Sequence, residues 1–164
     1  MSITGIHHIA ISTPDADRLL EFYRDLLGME VVFEGSWPVG TEQADAITAL
    51  KGSSARQILL RCGTAYLELF EYHAPEARPG DPERPVCDHG ITHLCLDVDD
   101  VEADYARLSE AGMRFHCKPQ DLGFGVRTTY GRDPDGNVVE LQELTPAGAH
   151  SFSTAAALDI AATA

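Results

Sequence analysis

One stretch of this chain occurs twice. GIHHIAISTPD at 5–15 returns as GITHLCLDVDD at 90–100, with Gly5/Gly90, Ile6/Ile91, His8/His93 and Asp15/Asp100 identical at an offset of 85. The apolar positions Ile9/Leu94 and Ile11/Leu96 agree as well. LLGMEVVF (26–33) and SEAGMRFH (109–116) match around Gly28-Met29 and Gly112-Met113 at an offset of 84. YLELFEY (66–72) and VVELQEL (138–144) match at an offset of 72, placing Glu68 over Glu140 and Glu71 over Glu143. Three matching blocks in one order, with offsets that only shrink, are what a duplicated module leaves behind. The extra length of the first copy falls in GSWPVGTEQADAITALKGSS (35–54), a Gly/Ser-flanked insertion with room for a short helix.

Each copy reads as β-α-β-β-β. Residues 5–12 alternate apolar and small or polar side chains, as a half-buried strand does. Thr13-Pro14 offers an N-cap and a first-turn proline, and Leu19, Leu20, Tyr23, Leu26 and Leu27 follow at helical spacing up to Gly28. Strands are expected at about 29–34, 55–62 and 64–72. In the second copy the strand spans 90–98, and Asp99 or Asp100 caps a helix carrying Val101, Tyr105 and Leu108 up to Gly112. Strands at about 113–118, 126–132 and 137–144 complete it, the last two joined by the turn DPDGN (133–137). The expected organisation is a first module over 1–72 with the insert 35–54, a Pro-rich charged linker over 73–88, a second module over 89–145, and an Ala-rich tail over 146–164. The tail reads as a loosely docked or frayed helix without chemistry.

Composition narrows the partners. Formal charge is −14 over 164 residues, which repels phosphate and argues against nucleic acid or an anionic membrane. No apolar run approaches the ~18 residues of a membrane span, and no secretory signal pattern opens the chain. Cys62, Cys87, Cys95 and Cys117 form no CxxC pair; Cys62 and Cys95 sit in apolar runs, where a thiol acts as a small hydrophobe. These features point to a cytoplasmic protein acting on a small molecule.

The repeat also separates chemistry from packing. Strand side chains alternate between faces, so His8 shares a face with Ala10 and Ser12, while Ile9 and Ile11 face the helix. His93 likewise shares a face with Cys95 and Asp97. His8 and His93 therefore point to the open side of each sheet. His7 has only Thr92 as its counterpart and reads as a packed, hydrogen-bonded neighbour on the helix side. Glu68 and Glu140 lie in the middle of the apolar strands YLELF and VVELQ, where a carboxylate is costly unless paired or bound to a cation. Two histidines and two glutamates at repeat-related positions balance a divalent ion. The mixed N/O set suits Zn, Ni, Co, Mn or Fe(II) better than Ca or Mg.

HHIAISTPD, FYRDLLGM, YLELFEY, GITHLCLDVDD and DPDGNVVELQEL together resemble the vicinal-oxygen-chelate superfamily, which includes glyoxalase I, methylmalonyl-CoA epimerase, extradiol dioxygenases and bleomycin-type resistance proteins. The resemblance spans about residues 4–145. It implies an α+β fold: two tandem βαβββ modules forming a curved, mostly antiparallel sheet cup around a metal site. Its ligand positions fall on His8, Glu68, His93 and Glu140, the His/Glu/His/Glu combination of glyoxalase I. It further implies a homodimer and a metal-dependent isomerase or lyase. The metal would chelate two neighbouring oxygens of the substrate and stabilise an enolate or enediolate, while Glu140 or Glu68 shuttles a proton. The position that usually carries Arg to grip glutathione is Ser12 here, which argues against glutathione. The insert 35–54 and the loop DLGFGVR (121–127) are expected to wall the substrate with Trp37, Phe124 and Arg127.

Two rivals share the scaffold. An Fe(II) ring-cleaving dioxygenase would use His8, His93 and Glu140 as a facial triad, but Glu68 would then compete for a position that oxygen needs. A drug-binding or resistance protein would need no metal, and retention of all four ligand types argues against it.

Overall fold

The first unit of the computed structural model is built on one parallel strand pair. β1 (His8–Ser12) lies beside β4 (Ala65–Ala74), with β3 (Ser54–Cys62) and β2 (Glu30–Trp37) following in the order β1-β4-β3-β2. Only the β1–β4 pairing is parallel; the others are antiparallel. The second unit repeats this plan: β5 (Leu94–Asp97) runs parallel to β9 (Val138–Leu144), followed by β8 (Val126–Arg132) and β6 (Arg114–Phe115). The short β7 (Gln120–Asp121) also pairs with β8. The chain divides into these units between Asp81 and Pro82. The structure describes residues 2–123 and 125–145; the Ala-rich tail and Phe124 lie outside them. The architecture is the expected α+β arrangement of two βαβββ modules, each with its own open sheet. No helix among the described residues is long and apolar enough to cross a membrane.

The helices are short because their job is to cover one sheet face. α1 (Ala16–Leu20) continues into a wider π-helical stretch over Glu21–Leu26. Phe22, three residues after Leu19, joins Leu19, Leu20 and Tyr23 in the core. Against them pack Ile58, Leu60, Leu67 and Leu69, the alternate residues of β3 and β4. In the second unit α3 (Val101–Glu110) buries Val101 and Leu108, and β9 buries Val139 and Leu141. The cap of α1 is Asp15 rather than Thr13: its carboxylate accepts from the Arg18 amide, and Thr13 makes a tight turn with Asp15 instead. Asp100 caps α3 in the same way, accepting from the amides of Glu102 and Ala103.

Each helix start is also tied to its sheet by a repeated brace. Glu71 accepts from the Ala16 amide at 3.4 Å, and Arg56 reaches Asp17 at 2.7 Å. Glu143 accepts from the Val101 amide at 3.1 Å, and Arg127 reaches Glu102 at 2.7 Å and Glu143 at 3.3 Å. Arg127 is therefore a structural brace, not the substrate wall expected of it, because β8 turns its side chain toward α3. Cys62 and Cys95 are exposed rather than core residues: Cys95 alternates away from Leu94 and Leu96, while Cys62, on the face of Ile58 and Leu60, lies at the very end of β3.

Strand β1 starts at His8, later than the expected 5–12, and Ile6 and Ile91 are 85% and 74% exposed. The expected strand over 113–118 is shortened to β6, and beyond Lys118-Pro119 the chain pairs again with β8 as β7. Gly136, at φ +91°, lets the DPDGN turn approach Pro82: a Cβ there would meet its backbone oxygen at 2.3 Å. Gly136→Ala is expected to lower stability by about 2 kcal/mol or more, read as a reduced urea midpoint. A midpoint equal to that of the parent would contradict this packing.

Candidate metal centre

The parallel strand pair of each unit sets the position of one histidine against one glutamate. Ala10 stands directly opposite Glu68, and Cys95 directly opposite Glu140. In both units the histidine lies two residues before that position, on the same face. His8 Nε2 is 3.2 Å from Glu68 Oε2, and His93 Nε2 is 3.0 Å from Glu140 Oε2. Glu68 and Glu140 are 7% and 8% exposed, so the carboxylates are lodged in the sheet while the imidazoles are reached from its open side.

The remaining atoms of each pair are also engaged. Gln57 Nε2 donates to Glu68 Oε1 at 2.5 Å, and Thr128 Oγ1 lies 2.6 Å from Glu140 Oε1. Gln57 and Thr128 occupy equivalent places: each pairs across the ladder with the residue two beyond its glutamate, Phe70 or Gln142. Thr128 Oγ1 is also 2.9 Å from the Leu141 carbonyl, so its single hydrogen is shared between two acceptors. At the imidazoles, His8 Nδ1 meets His7 Nδ1 at 2.9 Å, and His93 Nδ1 meets Thr92 Oγ1 at 2.8 Å.

His7 is thus not a packed residue on the helix side. It precedes the strand, so the strand alternation does not govern it. Its ring is exposed, stacked on Tyr66 at 4.7 Å, and turned toward His8.

Among the described residues no group of three or more His, Cys, Asp or Glu side chains is gathered closely enough to hold a metal; each unit brings two. The donor chemistry of each pair nevertheless fits a divalent ion. Ligands about 2.1 Å from one ion and at right angles to each other are themselves about 3 Å apart, the spacing of Nε2 and Oε2 in both pairs. Neighbours occupy Nδ1 and Oε1, so Nε2 and Oε2 are the atoms left to share a cation, an arrangement usual for metal-ligating imidazoles and carboxylates.

The surroundings of the two pairs differ. In the first unit Trp37 packs edge-on against Phe70 and Tyr72, with ring centroids 5.8 and 5.9 Å apart. Trp37 Nε1 donates to Ser53 Oγ at 3.0 Å. Ser53 and Gly52 are held by Asp45 of α2 (Glu42–Thr48), so the insert fixes the indole. Hydrogen bonding from Ser53 holds the Asp45 carboxyl below its usual range. Burial and then the charge of Glu68 push the Tyr72 phenol up. In the second unit burial and the charge of Glu140 do the same to Tyr130, whose ring lies 4.9 Å from that of His93. Cys95 has no thiol counterpart in the first unit, where Ala10 stands. Desolvation, followed by the charge of Glu140 and a hydrogen bond to it, pushes the Cys95 thiol up to about 12.

With this geometry in place, comparison with known proteins assigns the class. Residues 5–141 match the model of the Glyoxalase/Bleomycin resistance protein/Dioxygenase superfamily, and the chain belongs to that superfamily. A 2-epi-5-epi-valiolone epimerase from Actinomyces is 34% identical over 158 residues, covering 88% of this chain and 81% of the relative. A lactoylglutathione lyase from Schizosaccharomyces pombe is 26% identical, covering 86% of this chain and 48% of the lyase. A glyoxalase family protein from Bacillus cereus shares the fold with a TM-score of 0.80 at 18% identity, over 88% of this chain and 97% of that one.

The raised Cys95 thiol has a direct consequence. At about pH 8 it is almost wholly protonated, whereas an ordinary thiol is substantially ionised. Peptide-resolved alkylation should label Cys95 at least about tenfold more slowly than a free cysteine, and Glu140→Gln should accelerate it by removing the charge. Equal rates in both proteins would contradict the placement of Cys95 against Glu140.

Proposed function

We propose that His8, Glu68, His93 and Glu140 hold one divalent ion (Zn, Ni, Co, Mn or Fe) in a metal-dependent isomerase or epimerase. The substrate class is a small molecule with two neighbouring oxygens, and the reaction moves a proton on the carbon beside a carbonyl. The observation that carries this reading is the occurrence of the same His–Glu pair at equivalent positions of both units, 3.2 and 3.0 Å across. When bound, such an ion supplies Lewis-acid stabilisation for the negative charge that develops on the substrate oxygens.

The residues of the chain do the rest. Glu68 and Glu140 are the proton carriers: each keeps Oε1 on a fixed neighbour, Gln57 or Thr128, and each has Oε2 directed to the open face. Trp37, Phe70 and Tyr72 form an apolar wall in the first unit for the carbon skeleton of the substrate. Ser12 brings no cation to the site, in keeping with a substrate that carries no carboxylate at that end. The 34% identical epimerase supports proton transfer without net oxidation. The lyase supports the same class of chemistry at greater distance. The protein is proposed to act as a cytoplasmic homodimer.

The test is solvent-proton exchange. Protein supplied in turn with Zn, Ni, Co, Mn and Fe(II) is incubated in D₂O with 2-epi-5-epi-valiolone or with the hemithioacetal of methylglyoxal and glutathione. Deuterium incorporation is followed by NMR. Metal-dependent incorporation into the valiolone is expected, falling about 100-fold or more in Glu68→Gln and Glu140→Gln. Substrate consumption coupled to oxygen uptake, or exchange indifferent to both glutamates, would overturn the reading.

A further inference from the structure

The residue before each site histidine touches the same atom of it. His7 meets Nδ1 of His8 at 2.9 Å, and Thr92 meets Nδ1 of His93 at 2.8 Å. The two residues stand 85 positions apart, as the histidines do, yet an imidazole and a hydroxyl share neither shape nor size. What they share is that each can donate or accept a hydrogen bond at one atom: a hydroxyl by rotating, an imidazole nitrogen by changing tautomer.

That property matters because a neutral imidazole carries one proton on two nitrogens. Without a cation, Nε2 beside a glutamate oxygen at 3.0–3.2 Å is best occupied by N–H, and Nδ1 must then accept. With a cation, Nε2 must offer its lone pair, and Nδ1 must carry the proton and donate. A partner that only accepts, or only donates, would leave one of the two states unpaired. Building on the metal reading above, we propose that His7 and Thr92 are positioning residues that serve both tautomers of His8 and His93, so that each ring exchanges its glutamate for a cation without losing its second hydrogen bond. For a neutral ring the exchange conserves protons: one leaves Nε2 for solvent and one arrives at Nδ1. His7 makes the matching change, its exposed ring giving up its own Nδ1 proton and taking one at Nε2, while the Thr92 hydroxyl turns.

The surroundings of the two partners grade the effect. His7 is held by stacking on Tyr66, whose Cα is the ladder partner of His8, so the ring is fixed where it is needed. The His7–His8 contact is exposed, and water can replace part of it, whereas the Thr92–His93 contact is partly buried. Thr92 is therefore the stronger of the two.

The test uses full-length protein with ¹⁵N-labelled histidine rings at about pH 8, where a free imidazole is neutral. Long-range ¹H–¹⁵N correlation reads the tautomer, and chelator competition with Zn²⁺ alone reads affinity. Metal-free protein should show His8 and His93 protonated at Nε2, and Zn²⁺ should move the proton to Nδ1. Thr92→Val should weaken Zn²⁺ binding about 10- to 100-fold, and Thr92→Ser should restore most of it. His7→Phe should weaken binding less, and His7→Asn, which also donates and accepts, should restore it. Wild-type Zn²⁺ affinity in folded Thr92→Val and His7→Phe overturns the proposal. Should the parent protein bind no Zn²⁺, the metal reading falls, but the metal-free spectra still decide. A single Nε2–H tautomer that becomes mixed in Thr92→Val supports the positioning role, and unchanged spectra overturn it.

Discussion

A parallel ladder between the first and last strands of each unit fixes where each glutamate stands against its histidine. Because β1 pairs with β4 and β5 with β9 in one register, the glutamate faces Ala10 or Cys95, and the histidine two residues upstream reaches it diagonally. A slip of one residue would turn Glu68 into the core among Ile58 and Leu69, where a carboxylate is very costly. The buried alternate residues of β3, β4, β8 and β9 therefore secure the site indirectly: they hold the register, and the register aims the side chains. Short helices suffice for this, since each is pinned at its start by an arginine–carboxylate brace, Arg56 with Asp17 or Arg127 with Glu102.

Duplication kept positions and let chemistry drift. The histidine and glutamate of each pair are unchanged between the copies, while the residues around them have diverged: His7 against Thr92, Gln57 against Thr128, Ala10 against Cys95. The result is two pairs with one geometry and two environments. An aromatic wall fixed by the insert lies beside Glu68, and a protonated thiol and a shared hydroxyl lie beside Glu140. Two carboxylates in unlike surroundings suit a reaction in which one site must take a proton and another return it.

Most of this was legible before the fold was known, because identity at a fixed offset marks residues that packing alone does not require. His8, His93, Glu68 and Glu140 stand out by that route, and the strand and helix order follows from periodicity. The supporting residues were hidden for two reasons. Gln57 and Thr128 differ in type and lie beyond the insert, where the offset has changed, so no identity aligns them. The same shift conceals the equivalence of Arg56 and Arg127: their shared role shows only once their carboxylate partners are seen. Strand alternation does not place His7, because the ladder begins only at His8. Thr13 before Pro14 has the pattern of a cap, but Asp15 offers the better acceptor to the first free amides.

The central claim is that the two His–Glu pairs act as one site for one cation. Its most direct test is metal content after equilibrium dialysis against Co²⁺, measured on the parent protein and on His8→Ala and His93→Ala. The account predicts about one ion per chain in the parent and nearly complete loss in either variant, because each substitution removes a ligand from the same ion. Two ions per chain, or variants that each retain half the parent content, would contradict it.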